Sequence, residues 1–568
     1  MKHRLVLFLA VLVLWGGAIS ARLYKVQVLE HGRYADRAED QQHRIVEVHP
    51  PRGTIFDARG RILAVSVAVD SACVFPHELN RHKDPEGILR QIAERAGVDP
   101  EALSKRVARN SNFAWVRRLL EPEQAQALRD LGIDGLGFVE ESKRYYPLAE
   151  IAGQVLGFVG TDHTGLAGIE AQYEQAISGT PVNRTVIRDG LKRRVHAPGL
   201  SLSDADPGAD LHLTIDSSIQ YIVERELAKA VDLHQAKSGT AVVLDPKTGA
   251  VLAMASQPTF DPNRFGEFER ELWRNPAIQD AYEPGSTFKL VTFAAALDRD
   301  LIDPVDVVDC EMGLIDLGRV EIRDHKEFGE LTFRDVFAFS SNVGSIKAGL
   351  LVGRQGLFDQ TLAFGFGSGT GVDLPGEAGG LLRSAESWWP NQEAYVSIGQ
   401  GLSVTPLQVA AAFAAIANDG ELVKPYLMAE QGIRLERRAL HPKPSVVRRV
   451  ASTSTVRTLV RLLEAVVEEG TGQLAAIPGY VVAGKTGTAQ KAGDGGYAAD
   501  KHVASFAGFV PSRDPVLAAV VVIDEPRGRF HGGEVAAPVF SAIARQSLVY
   551  LGSAPDPSAM KRRLESRS

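Results

Sequence analysis

The sequence predicts an α+β fold with three parts: an N-terminal membrane anchor, a mixed α/β module over residues 22–208, and a larger domain over residues 209–553 whose antiparallel sheet is packed between helical layers. Three observations lead to this prediction. An apolar run opens the chain, short β-prone runs alternate with amphipathic helices before residue 208, and many helical segments between 330 and 470 precede strands over 480–525. Helices followed by antiparallel strands are typical of α+β domains. With 568 residues and 45% hydrophobic content, the chain can bury at least two cores.

The predicted anchor is a transmembrane helix over residues 5–21, with residues 1–4 on the cytoplasmic side. Leu5 to Ala21 is continuously apolar or small and follows Lys2 and Arg4. It is barely long enough to span a bilayer, for which about 20 residues are typical. A cleavable signal peptide is the alternative, because Ala18-Ile19-Ser20 resembles a small-x-small cleavage site. Both interpretations place the rest of the chain outside the cytoplasm.

Composition argues against several classes of function. The net charge of −7 at pH 7 gives no reason to expect a nucleic-acid partner. The only two cysteines, Cys73 and Cys310, lie far apart and outside any CxxC pattern, so we expect buried free thiols. The histidines are scattered without ligand spacing, and we therefore predict neither a metal site nor a cofactor.

Residues 22–208 carry no constellation of catalytic side chains. Their apolar spacing predicts two strands and three helices, over 62–69, 72–75, 86–95, 100–108 and 121–131. Arg184 to Leu200 is basic, and a solvated strand pair explains it better than contact with an anionic lipid or polymer. Ser201–Gly208 is rich in Ser, Asp and Pro and marks the domain boundary.

The larger domain is predicted to begin with a strand and a capped helix. Leu211–Ile215 is β-prone, and Asp216 with Ser217 is a cap signal for a helix over Ser217–Asp232. Residues 240–255 then predict a hairpin that joins the last strands of the chain in one sheet. Residues 554–568 are polar and basic and are expected to form a flexible tail.

Ser286-Thr287-Phe288-Lys289 is the first of three motifs with a chemical meaning. Tyr282-Glu283-Pro284-Gly285 is a turn signal, and the residues after Lys289 form an apolar run without Gly or Pro. This pattern predicts a core helix with Ser286 in its first turn and Lys289 on the same face. A hydroxyl nucleophile would then lie one turn from an amine that can accept its proton.

The second and third motifs follow in order. Ser340-Ser341-Asn342 contains the only Ser-x-Asn of the chain, and it adds a hydroxyl and an amide. Lys485-Thr486-Gly487-Thr488 follows the β-prone residues 480–483 and offers a cation and hydroxyls on a strand. Two further strands, over 504–510 and 516–523, predict an antiparallel meander that carries the lysine motif.

Two copies of these short motifs are interpreted as decoys. Ser558-Ala559-Met560-Lys561 lies in the polar tail, and Lys247-Thr248-Gly249 lies in the turn of the predicted hairpin. A single Ser-x-x-Lys is expected about once by chance in a chain of this length. The ordered set of three motifs is much more specific.

Together the three motifs resemble the SxxK, SxN and KTG set of class B penicillin-binding proteins, and a closely similar trio is known from class A β-lactamases. The likeness covers nearly the whole chain and is strongest for the division-specific FtsI type. It extends to four further boxes, at residues 52–64, 165–173, 399–408 and 531–540. It implies that residues 22–208 are a pedestal of the penicillin-binding protein dimerisation type and that residues 209–553 are the transpeptidase domain. His531 departs from the family, since many division enzymes carry Tyr there.

The resemblance also implies a role for each motif residue. Ser286 would be acylated with Lys289 as the base, and Ser340 with Lys485 would protonate the leaving amine. Asn342 would position the amide side of the donor peptide, and Thr486, Gly487 and Thr488 would bind the terminal carboxylate. Backbone N–H groups of Ser286 and Thr488 would form the oxyanion hole. Lys289 must be neutral to act, and we expect burial, the charge of Lys485 and a helix N-terminus to lower its pKa.

The partners and location follow from the same likeness. Stem peptides ending in D-Ala-D-Ala would be the donors, an amine of a neighbouring stem the acceptor, and β-lactams covalent inhibitors. Because the module carries no paired-carboxylate signature, strand polymerisation would need a separate polytopic, FtsW-like glycosyltransferase, alongside other division proteins. The resemblance favours an uncleaved single-pass anchor in the inner membrane, with a periplasmic catalytic domain at the division septum.

Two other functions stay open. The first is a hydrolase, either a β-lactamase or a D,D-carboxypeptidase, in which water resolves the acyl-enzyme. Class A β-lactamases use a Glu for deacylation, and the Glu-x-x-Leu-Asn run of that class is absent after Asn342. The second is a catalytically silent scaffold that binds β-lactams or a partner without acyl transfer.

Overall fold

The computed structural model describes residues 2–34, 43–48, 50–110, 113–187, 207–318, 321–433, 436–439, 444–493 and 496–555. The predicted tail beyond residue 555, the basic segment beyond residue 187 and most of the predicted boundary at 201–208 lie outside these ranges. The chain divides into two compact units. The first comprises residues 1–52, 66–143 and 178–208, and the second comprises residues 53–65, 144–177 and 209–568.

The predicted anchor is a helix. It runs over Lys2–Tyr24 and continues as a π-helix over Lys25–Leu29, so it extends beyond the predicted span at both ends. None of its residues is buried, and Leu14 is 74% exposed. Among the residues that the structure describes, it is the one helix long and apolar enough to cross a membrane.

The first unit packs helices against part of a sheet. Three helices confirm the sequence prediction, over Pro85–Ala96, Pro100–Ala108 and Pro122–Arg129. Each begins with proline, which suits the first helical position because its missing N–H is not needed there. Ile92, Leu103 and Leu128 are buried in their shared core. A short helix covers Pro76–Leu79.

The strands of this unit differ in one point from the prediction. The two runs expected at 62–69 and 72–75 form one continuous strand, Ile62–Val74, whose residues from 66 on belong to this unit. It pairs with Ala114–Arg117 and with Leu136–Tyr145. A separate antiparallel pair joins His43–Val48 to Val182–Ile187.

The second unit is built on a five-stranded antiparallel sheet. The strand order is Ala483–Gly493, Gly496–Val510, Leu517–Asp524, Ser238–Leu244 and Val251–Gln257. The predicted meander and the first hairpin therefore do join in one sheet, with the Lys485 strand at its edge. Lys247-Thr248-Gly249 lies in the hairpin turn, as predicted.

Helices cover both faces of this sheet, which confirms the predicted layers. Along Leu517–Asp524, Val521 and Ile523 pack with the helices Ser217–Leu233 and Ala537–Tyr550. The alternate residues Val520 and Val522 pack on the other side, because successive side chains of a strand point to opposite faces. The helices of that second side are Lys289–Leu297, Phe333–Ala338, Asn342–Ala363, Gln392–Ser397, Pro406–Ala417 and Thr453–Glu468.

The C-terminal helix corrects the sequence analysis. The sequence predicts strands over 480–525 as the last elements of the domain. In the structure, Ala537–Tyr550 forms a further helix that covers the sheet. The predicted helix at Ser217 is confirmed, with the Asp216 carboxylate accepting from Ser218 N at 2.9 Å as its cap. Cys73 and Cys310 are both buried and are not joined in a disulfide, as expected.

Smaller elements complete the second unit. Its short helices cover Gly153–Leu156, Gly168–Gln172, Glu174–Ile177, Pro262–Glu267, Arg270–Trp273, Pro276–Gln279, Gly285–Phe288, Glu311–Gly313, Ala385–Ser387, Gln473–Ala475 and Gly532–Val535. Its short strands are Ile55–Phe56, Asp210–Leu213, Val307–Asp309, Leu314–Asp316, Glu321–Arg323, Glu330–Thr332, Glu421–Val423, Met428–Ile433, Glu436–Ala439 and Val446–Arg449.

Residues of the first two boxes after the anchor make ionic contacts within this unit. The buried Asp57 carboxylate accepts from Arg61 Nε at 2.7 Å and from Ser217 Oγ at 2.8 Å. This negative charge lies at the start of the Ser217–Leu233 helix, where it interacts favourably with the helix dipole. Arg144 and Glu170 form a buried ion pair at 2.6 Å. Removing one partner of a buried ion pair is typically strongly destabilising.

Candidate active site

The three motifs meet in one cleft of about 860 Å³ in the second unit. Ser286, Ser340, Asn342, Thr486 and Thr488 all line it. They come from three separate elements: a turn before a helix, a loop before a second helix, and the edge strand of the sheet. The distant parts of the sequence therefore converge as predicted.

The Ser286 turn is a 3₁₀ helix over Gly285–Phe288 that leads into the α-helix Lys289–Leu297. The predicted α-helix thus begins at Lys289 rather than before Ser286. Gly285 has φ +54° and donates its N–H to Gly399 O at 3.0 Å. An added Cβ at Gly285 would lie only 3.0 Å from Thr488 O, so the turn packs directly on the Lys485 strand. Ser286 itself is half-buried, and its hydroxyl has no hydrogen-bond partner within the described residues.

The Lys289 amine is completely buried beneath the cleft. It lies 2.7 Å from Ser340 O, 3.2 Å from Ser340 Oγ and 2.9 Å from Asn342 Oδ1, and donates to Ser341 O at 3.2 Å. Burial lowers the pKa of Lys289 to about 7, while the Asp324 carboxylate acts in the opposite direction. A large share of these amines is therefore neutral near neutral pH, as a general base requires.

The cause of this shift differs in part from our expectation. We expected burial, the charge of Lys485 and a helix N-terminus to act together. Burial is the dominant cause, and the nearby charge that acts on Lys289 is the opposing carboxylate of Asp324. The repulsion between the two lysines acts instead on Lys485. Its pKa is lowered well below the ordinary lysine value, first by burial and then by the charge of Lys289.

The Ser340 loop is held in a strained conformation. Ser340 has φ +63°, a left-handed conformation that residues with a Cβ adopt rarely. Ser341 Oγ accepts from Gly344 N at 3.1 Å and so caps the helix Asn342–Ala363. This geometry turns the Ser340 side chain toward Lys289 and the cleft at the same time.

Asp324 organises this loop, and the sequence analysis did not single it out. Its carboxylate accepts from Ser341 Oγ at 2.8 Å, from Val343 N at 3.3 Å and from Asn342 N. It thus binds the N-terminus of the Asn342–Ala363 helix, where a negative charge is favourable. Asp324 lies within the charged run 323–327. Such a run in a sequence is typical of a solvated surface.

The Lys485 strand forms the opposite wall. Lys485 is fully buried, with its amine 5.8 Å from the centre of the Phe337 ring. Thr486 Oγ1 lies 2.7 Å from Thr471 Oγ1, and Thr488 Oγ1 accepts from Gly532 N at 3.0 Å. A Cβ on Gly487 would lie 2.3 Å from Ser505 Oγ, so glycine is required there by close packing.

Glu283 connects the Ser286 turn to neighbouring elements, and the sequence analysis did not single it out either. Its carboxylate accepts from Gly401 N at 2.9 Å and from Tyr497 OH at 2.9 Å. It therefore connects the Ser286 turn to the Gly399-Gln400-Gly401 box and to the strand after the Lys485 strand. The signal available in sequence was the position of Glu283 directly before Pro284-Gly285.

Comparison with known families finds two matches that cover most of the chain. Residues 239–545 match the penicillin binding protein transpeptidase domain, and residues 47–213 match the penicillin-binding protein dimerisation domain. The first match contains all three motifs and alone covers more than half of the chain.

Curated proteins with similar sequences include one from Escherichia coli and one from Bacillus subtilis. Peptidoglycan D,D-transpeptidase FtsI of Escherichia coli is 35% identical over 547 residues, which is 95% of this chain and 90% of that protein. Stage V sporulation protein D of Bacillus subtilis is 34% identical over 555 residues, which is 96% of this chain and 85% of that protein.

Among solved structures, penicillin binding protein 3 of Mycobacterium tuberculosis in complex with aztreonam is similar. It shares 29% identity, with a TM-score of 0.70 over 90% of this chain and 98% of that chain. A complex of the same protein with ampicillin matches with the same TM-score and 30% identity.

Proposed function

The chain belongs to the penicillin-binding protein transpeptidase family, and we propose that it is a peptidoglycan D,D-transpeptidase that cross-links stem peptides by acyl transfer through Ser286. The observation that carries the proposal is the buried amine of Lys289, which lies 3.2 Å from Ser340 Oγ beneath the cleft that Ser286, Ser340 and the Lys485 strand line. Burial supplies the neutral base that a serine nucleophile needs.

In the first half-reaction, Ser286 Oγ attacks the carbonyl carbon of the penultimate D-Ala. Lys289 takes the hydroxyl proton, and the backbone N–H groups of Ser286 and Thr488 stabilise the oxyanion. The peptide bond to the terminal D-Ala then breaks, and its nitrogen receives a proton through Ser340 and Lys485. The 3.2 Å distance between Lys289 Nζ and Ser340 Oγ supports proton transfer between these two groups, since it lies within the range for transfer along a hydrogen bond.

In the second half-reaction, an amine of a neighbouring stem peptide attacks the Ser286 ester. The amine loses its proton to the same Lys289–Ser340 pair, the new amide forms, and Ser286 leaves with a proton restored. A β-lactam enters the first half-reaction in place of the donor, but its leaving nitrogen stays attached to the acyl group. The ester then persists, and the enzyme is inhibited.

The two walls of the cleft orient the donor peptide. Lys485 with Thr486, Gly487 and Thr488 binds the terminal carboxylate of the donor, and Asn342 positions its amide. The carboxylate also favours the charged form of Lys485, which burial alone disfavours. Glu283 and Asp324 position the reacting groups without touching them.

We also propose the domain division and the cellular setting. Residues 5–21 anchor the protein in the inner membrane, residues 22–208 form a periplasmic pedestal, and residues 209–553 form the transpeptidase domain. Similarity to the Escherichia coli division-type enzyme supports a role at the septum, beside a polytopic FtsW-like glycosyltransferase and other division proteins.

The function is tested by following both products of a donor substrate. Full-length protein in detergent is given a thioester analogue of the donor together with a labelled D-amino acid as acceptor. A transpeptidase incorporates the label into the acyl product. Formation of the shortened, unlabelled peptide alone would reassign the protein as a D,D-carboxypeptidase, and no product despite β-lactam acylation would make it a scaffold.

A further inference from the structure

Three histidines line the same cleft as the proposed catalytic residues, and the mechanism uses none of them. They are His325, His502 and His531. His502 stacks on Phe530 with ring centres 4.2 Å apart, and His531 lies 4.5 Å from the same ring. Within the described ranges, no group of three or more His, Cys, Asp or Glu side chains is arranged to hold a metal ion.

The backbone fixes the position of this group relative to the donor-binding strand. His531 directly precedes Gly532, whose N–H donates to Thr488 Oγ1 at 3.0 Å. A Cβ at Gly532 would lie 2.2 Å from Gly487 O and from Ser505 O, so the chain at this point lies against the strand. His502 belongs to the strand next to the Lys485 strand, where it pairs with Gln490. His325 follows Asp324, which holds the Ser340 loop.

The charge of this part of the cleft depends on pH, because histidines line it together with fixed charges. Burial lowers the pKa of His325 and of His502, and the charge of His531 lowers both further. The other charged groups that face the rings or line the cleft are Asp500 beside His502, Asp324, Lys289 and Lys326 around His325, and Arg323 and Glu534 on the cleft wall. Asp324 is already engaged by Ser341, Asn342 and Val343. Because both pKa shifts are downward, His325 and His502 gain their positive charge below the ordinary histidine pKa of about 6.5, and this part of the cleft, which Arg323 also lines, then favours an anion.

We propose that His325, His502 and His531 form a subsite for a second carboxylate of the ligand, distinct from the terminal carboxylate held by the Lys485 strand. The proposal rests on the proposed function, because it places a donor peptide or β-lactam in this cleft. It predicts that ligands with an additional carboxylate on the acyl side chain gain an advantage as the pH falls from 8 to 5.5.

A matched pair of penicillins tests this subsite. Carbenicillin differs from benzylpenicillin by one side-chain carboxylate, which stays ionised over this pH range. The second-order rate constant for acylation of the full-length protein is measured for both drugs at several pH values. The ratio of the two rate constants is the readout, because the titration of Lys289 affects both drugs equally and cancels.

In the wild type, the ratio of carbenicillin to benzylpenicillin should rise about two- to fivefold between pH 8 and pH 5.5, as expected for partly exposed ion pairs. In a His502→Gln/His531→Gln double variant that keeps the wild-type unfolding temperature, the rise should be clearly smaller, because only His325 of the subsite remains. His77→Gln, an exposed histidine that does not line the cleft, should retain the wild-type dependence.

The proposal is overturned if the wild-type ratio does not change with pH, or if the double variant shows the same rise. These outcomes are distinct from failure of the proposed function. That failure would appear as the absence of any benzylpenicillin adduct on Ser286 at every pH.

Discussion

A Ser286→Ala variant should form no covalent adduct with benzylpenicillin, whereas the wild type should gain the mass of one drug molecule. The reason is that the proposed mechanism forms the ester on the hydroxyl of Ser286, which lines the cleft and which alanine lacks. Intact-protein mass spectrometry measures the adduct, and peptide mapping locates it between Gly285 and Lys289. Transfer of a labelled acceptor should disappear in the same variant.

Ser558→Ala is the matched control for this change. Ser558 begins the second Ser-x-x-Lys of the chain, and it lies outside the residues that the structure describes. Its replacement should leave the adduct unchanged. Persistence of a stoichiometric adduct in Ser286→Ala, or its loss in Ser558→Ala, would contradict the assignment of the nucleophile.

Replacing Lys289 with glutamine should slow acylation of Ser286 by about 10²- to 10⁴-fold, the usual contribution of a general base. Glutamine retains hydrogen-bond donors for the oxygens of Ser340 and Ser341, but it cannot accept a proton at neutral pH. The loss should therefore lie in the acylation rate, measured by stopped-flow or quenched reactions with benzylpenicillin.

Two further variants separate chemistry from folding. Lys289→Arg keeps a long cationic side chain that stays charged at pH 7, and it should lose acylation as severely as Lys289→Gln. Lys247→Gln removes an exposed lysine from the other Lys-Thr-Gly sequence, where it pairs with Asp514, and should react at the wild-type rate. A folded Lys289→Gln protein that acylates within tenfold of the wild type would exclude Lys289 as the base.

Local patterns in the sequence correctly predict the sheet and the helix that carry the motif residues. The alternation in Leu517–Asp524 and the apolar run after Lys289 are local signals, and they identify the sheet and the buried helix. The order of the three motifs identifies the residues that meet in the cleft. These features depend on periodicity and on short motifs, both of which are readable in a single sequence.

The groups that support the site are harder to predict from sequence, because their partners lie far away along the chain. Asp324 binds the start of a helix 17 or more residues later, and Glu283 bonds to Tyr497, 214 residues away. Neither carboxylate belongs to a motif, so their roles emerge only when the chain is folded. The positive φ of Ser340 also has no sequence signal, since serine rarely adopts it.

The state of Lys289 is likewise a property of the whole fold. The sequence suggests that its pKa must be low, but it assigns part of the cause to Lys485 and a helix terminus. In the structure the main cause is burial, to which the helices and the sheet contribute together. Desolvation of this kind sums over many neighbours, and a local pattern does not reveal it.

The most direct test of the account is the pH dependence of Ser286 acylation by benzylpenicillin in the wild-type protein. Since the neutral amine is the reactive form, the rate should rise with pH and reach half its maximum near the Lys289 pKa of about 7. A rate that does not change between pH 5.5 and 9, or one that rises only toward the ordinary lysine pKa of about 10.4, would contradict it.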